Sequence, residues 1–84
     1  MTPTRFALIR ANIAAILDQC SPLLVTEERL QFELNLQLQP AATVIEYEHV
    51  LARMEAARQI LRHRTQDEGV KTKLTDLGCA ELIL

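Results

Sequence analysis

Glycine is scarce in this chain: of 84 residues only Gly69 and Gly78 are glycine, and there are three prolines. A β sandwich or barrel needs such residues at its many reversals, so their shortage argues for helices. Cysteine is equally sparse. Cys20 and Cys79 lie far apart and form no C-x-x-C pair, which speaks against a disulfide scaffold and for a reducing, cytoplasmic setting. An excess of positive charge is also missing. The formal net charge is −2, whereas a domain drawn to nucleic acid by its total charge would be basic. DNA contact would therefore need a local patch. No long apolar run is present either: Phe6 to Leu17 is broken by Arg10 and Asn12, too short to span a bilayer and without a signal-peptide core. The expectation is a soluble protein with no membrane contact.

Sequence marks of catalysis are lacking too. There is no glycine-rich phosphate loop, paired-carboxylate signature or nucleophile elbow. His49 and His63, even with the two cysteines, match no metal-ligand spacing. The chain reads as a non-enzyme without metal or cofactor.

What is present is a globular composition, 49% apolar and 24% charged, and one domain is expected over residues 1–84. Phe6, Ile9, Ile13, Ile16 and Leu17 recur at helical spacing, predicting a helix from Thr4 to Gln19 that Ser21-Pro22 ends. Residues 30–38 carry conflicting signals. Leu30, Phe32, Leu34, Leu36 and Leu38 alternate as in a strand, yet Glu27 to Gln39 holds no β-branched residue. Thr26 followed by Glu27 and Glu28 is a sound helix start, so a helix is expected there, with Leu36 to Gln39 open to an extended form. After Pro40, Thr43 and Glu46 form a capping box, and Val44, Tyr47, Val50, Leu51 and Met54 make the apolar stripe of a helix ending near Arg58. The pattern then predicts a hairpin: strands over 59–65 and 70–74, with Gly69 in the left-handed conformation. Thr75-Asp76 could cap a short final helix containing Leu77, Ala80, Leu82 and Ile83.

Two stretches resemble winged helix-turn-helix domains. Leu51-Ala52-Arg53-Met54-Glu55-Ala56-Ala57-Arg58-Gln59-Ile60 looks like a third helix running into the wing, and Leu74-Thr75-Asp76-Leu77-Gly78-Cys79-Ala80-Glu81-Leu82 resembles the close of the wing and the start of a last helix. The resemblance covers Thr26 to Leu84. It implies a mainly α fold with a small β-hairpin: three helices, a wing and a short C-terminal helix. Many members have glycine between third helix and wing. Here Ala57-Arg58-Gln59 stands in its place, so the helix is expected to end without a left-handed cap.

Function on this fold varies, so candidate residues are argued individually. With Leu61, Val70 and Leu74 taken as core-facing, Arg62, Arg64, Lys71 and Lys73 gather on the solvent side of the wing, placed to touch phosphates. The plain alternative is that such cations only keep an exposed strand edge soluble, and Asp67 and Glu68 at the tip could neutralise them. The resemblance makes the third helix the reader of the DNA major groove. There His49 and Arg53 could reach base edges, although Glu46, Glu48 and Glu55 beside them repel phosphates and fit an ordinary solvated face. Phe6, Ile9 and Ile13 on the first helix, with Leu82 near the C-terminus, are candidates for a homodimer interface; alternatively both ends pack within one subunit. Two functions remain open: a DNA-associated regulatory or accessory protein holding double-stranded DNA weakly by its phosphates, or a protein-interaction module on the same fold.

Overall fold

The computed structural model describes residues 2–21, 23–66 and 69–75. Three helices are followed by an antiparallel hairpin, a small α/β arrangement consistent with a winged-helix-like topology. Helix α1 spans Pro3–Cys20, a residue longer at each end than its periodicity predicts. Thr2 caps it, its hydroxyl accepting from the Arg5 amide at 3.1 Å, and Pro3 opens it where no intrahelical donor is needed. Ser21 leaves the helix in an extended conformation with its amide on the Asp18 carbonyl.

The conflict over residues 30–38 resolves as helix. Helix α2 spans Glu27–Gln37 with Thr26 as N-cap. Leu30 and Leu34, four apart, are buried, while Phe32 and Leu36 face solvent at 63% and 64% exposure. Leu38 is buried by a different route: the chain has turned extended there, at φ −105° and ψ 128°. The alternation thus mixes a true helical pair with one residue beyond the helix end.

Helix α3, Val44–Ala56, starts at the expected capping box. Thr43 Oγ1 accepts from the Glu46 amide and Glu46 Oε1 accepts from the Thr43 amide, each at 3.1 Å. Arg5 adds a tie that the sequence does not advertise. Its guanidinium donates to Glu46 Oε2 at 3.1 Å and to the carbonyls of Pro40 and Ala41, fastening the start of α1 to the α2–α3 connection. Arg5 holds the Glu46 carboxyl below the ordinary carboxylate value, chiefly through that hydrogen bond.

A three-stranded sheet completes the fold. Strand β1, Val25–Thr26, was not foreseen, since two residues carry no periodicity. It pairs antiparallel with β3, Gly69–Leu74, which pairs in turn with β2, Ile60–Thr65, giving the order β1-β3-β2. Thr26 both ends β1, opposite Lys71, and caps α2. Gly69 has φ 74°, the left-handed turn expected of it. The core joins Ile9, Ile13, Ile16 and Leu17 of α1 to Leu30, Leu34, Tyr47, Val50, Leu51, Met54, Val25 and Ile60. The C-terminal helix proposed around Leu77, Ala80, Leu82 and Ile83 lies outside the described residues, as do Pro22, Asp67 and Glu68.

One departure from expectation concerns the end of α3, which does have a left-handed cap. Arg58 adopts φ 62°, and the amides of Arg58 and Gln59 bond back to the carbonyls of Glu55 and Met54, the paired bonds of a Schellman motif. The Arg58 carbonyl also accepts from the Thr75 hydroxyl, and the Thr75 amide donates to Gln59, locking this turn to the far end of β3. An arginine therefore occupies a conformation that costs a non-glycine residue about 1–2 kcal/mol. Arg58→Gly should raise stability by roughly 0.5–1 kcal/mol, after its own unfolded-state entropy is deducted. A urea midpoint that falls, with unchanged m-value, would contradict this account of the turn.

Candidate binding surface on the hairpin and third helix

The side chains of β2 alternate between the two sheet faces, and burial shows which is inward. Ile60 is 2% exposed and Arg62 follows it inward, whereas Leu61 is half exposed. The register sets Arg62 opposite Thr72, itself buried, and Arg64 opposite Val70. Leu61 and His63 share the outer face with Lys73 and Lys71. The expected cluster of four outward cations is therefore divided. Lys71 and Lys73 lie on the outer face; Arg62 and Arg64 lie on the inner one. The error was one of parity: with Leu61 taken as the core residue instead of Ile60, every side chain of the strand changes face.

The two arginines meet carboxylates there. Arg62, its side chain 8% exposed, places Nη2 at 3.4 Å from Glu27 Oε1 and Nη1 at 3.6 Å from Glu48 Oε2. Arg64 makes a fork with both oxygens of Glu55, at 3.4 and 3.5 Å. One strand thus ties to two helices. Glu48 and Glu55, seven apart, lie about 10 Å apart along α3, and arginines two apart on a strand span about 7 Å. The two spacings differ by about 3 Å, so local pattern alone does not pair these acids with these arginines.

Electrostatics around Arg62 are tight. Burial, and then the hydrogen bond and charge of Glu48, push the Glu27 carboxyl above its ordinary value against the pull of Arg62 and Arg64. Beside them the Tyr47 hydroxyl is buried without a hydrogen-bond partner among the described residues, as is Arg62 Nε. Burial raises the Tyr47 pKa, so the phenol stays neutral.

The remaining candidates are scattered. His49 and Arg53 are exposed on α3, but the ring of His49 meets Phe6 edge-on, with centroids 5.9 Å apart. Arg53 lies at a shallow depression with Phe6, Arg10, Met54, Ala57 and Gln59. One exposed line of α3 carries Ile45, 82% exposed, His49, Ala52 and Ala56. Ile9 and Ile13 are completely buried in the domain's own core and offer nothing to a second subunit; Phe6 is half-buried, and Leu82 lies outside the described residues. Among the described residues no group of three His, Cys, Asp or Glu side chains is placed to hold a metal, and no helix is long and apolar enough to cross a membrane. Against known proteins, no family model, curated protein or solved structure matches this chain.

Two outcomes follow from the Arg62 cluster. Arg62→Met should cost about 2 kcal/mol, because Glu27 and Glu48 then face each other without a counter-charge. Stability should also depend on Glu27. With its folded-state pKa raised above 4.5, the folded state binds the proton more readily, so stability falls as pH rises from 4.5 through the raised value. Glu27→Gln should flatten that slope in thermal melts recorded across the interval. An unchanged slope would mean that neither burial nor Glu48 raises the Glu27 carboxyl in the folded state.

Proposed function

We propose that the domain is a winged-helix module that acts by binding another protein, without catalysis. The carrying observation is the engagement of Arg62 and Arg64 with Glu27, Glu48 and Glu55, which removes from the wing half of the charge a phosphate backbone would require. The net charge of −2 points the same way. So do the exposed apolar side chains of Phe32, Leu36, Val44 and Ile45, which no DNA groove would reward. A second reading, weak contact with double-stranded DNA, draws support from Lys71, Lys73 and His63 sharing the outer face of the hairpin, with His49 and Arg53 exposed on α3.

A mobility-shift titration with duplex DNA at low salt separates the two. The protein-binding reading expects no retardation. Retardation that weakens steeply with salt, with a log–log slope reduced by about two units in the Lys71→Ala, Lys73→Ala double variant, would replace it with the DNA reading.

A further inference from the structure

We propose that the outer edge of β2 accepts an extended acidic segment of a partner protein as a fourth strand. The inference rests on the protein-binding reading and gives it a site and a partner chemistry.

Hydrogen bonding along the hairpin identifies which backbone groups are available. The Thr75 amide donates to Gln59, directly opposite it in the β2–β3 register, so this is a hydrogen-bonded pair. Such pairs alternate in an antiparallel ladder, which makes Leu61–Lys73 and His63–Lys71 the next ones. The amides and carbonyls of Ile60, Arg62 and Arg64 therefore point away from β3. β2 is the last strand in the order β1-β3-β2, and no described residue bonds to those groups.

Edge strands are ordinarily defended by charged side chains, lysine above all, by inward-pointing charges, by proline or by a bulge. β2 has no lysine, proline or bulge, and its inward charges are neutralised by carboxylates. Its lysine neighbours stand on the central strand β3, and its own arginines lean inward to carboxylates. Among the described residues no strand covers this edge.

Charge selects the occupant. A strand laid along β2 would set alternate side chains beside His63 and Leu61 on the outer face, next to Lys71 and Lys73 one strand further in. The others would lie beside Arg62 and Arg64, whose guanidinium groups are already engaged by Glu27, Glu48 and Glu55. Arg58, exposed, stands at the start of the strand. Acidic residues on the face shared by Leu61 and His63, beside Lys71 and Lys73, with apolar residues on the other face, complement this edge; backbone bonds supply affinity and the alternate side chains supply choice.

The test uses the whole protein and a short peptide of alternating glutamate and valine, with a lysine–valine peptide and duplex DNA as comparisons. Binding is followed by peptide fluorescence anisotropy and by amide hydrogen exchange. The acidic peptide should bind more tightly than the basic one and slow exchange at Ile60, Arg62 and Arg64 by roughly tenfold or more. Proline at position 64 removes an outward amide and leaves the β3 ladder intact. Arg64→Pro should therefore weaken the peptide about fivefold more than Arg64→Ala, the worth of one net hydrogen bond. Circular dichroism confirms that both variants fold, and the exchange pattern of the unmodified protein stands without them. Equal losses in the two variants, or protection elsewhere than on β2, would overturn strand addition. Absence of peptide binding together with absence of any DNA shift would remove strand addition and leave the protein-binding reading; a salt-steep DNA shift would remove both.

Discussion

The hydrophobic parity of one six-residue strand governs this molecule. Ile60 goes into the core, and that choice carries Arg62 and Arg64 to the same side, where uncompensated burial of a guanidinium would cost several kcal/mol. The carboxylates of Glu27, Glu48 and Glu55 are what make the arrangement tolerable. They come from α2 and α3, so the hairpin is joined to both helices by charge as well as by apolar contact. Much of the surface chemistry follows. Acids on α3 that would repel a phosphate are instead occupied, and so are Arg62 and Arg64, two of the bases that would attract one.

Much of the architecture was legible in the residues. The three helices, the capping box at Thr43 and Glu46, the hairpin and the left-handed Gly69 could all be read from local pattern, because each depends on residues within a few positions of one another. The features that escaped depend on partners distant in sequence. β1 exists only because β3 lies beside it. Arg5 finds Glu46 across 41 positions, and Arg62 finds Glu27 across 35. The face of β2 hinged on choosing between two adjacent apolar residues, which periodicity alone could not rank.

The candidate site was less legible than the fold for the same reason. A surface is a three-dimensional grouping, and an odd or even placement on one strand divided this one. Helix α1 shows a similar limit. Ile9 and Ile13 looked available to a second subunit, yet α2, α3 and the sheet together cover them completely. In a domain this small, strong apolar residues are needed first for its own interior.

Thr26 carries two duties at once: its backbone lies opposite Lys71 in the sheet, and its hydroxyl holds the first turn of α2. A hinge placed between wing and helices would have to bend at that residue, and bending would break a ladder pairing and a helix cap together. With Thr75 pinned to Arg58 and Gln59 at the root of the hairpin, the flap is held both there and along the turn-side half of β3. It behaves as a fixed blade, and whatever docks on it meets a preformed edge with little ordering left to do.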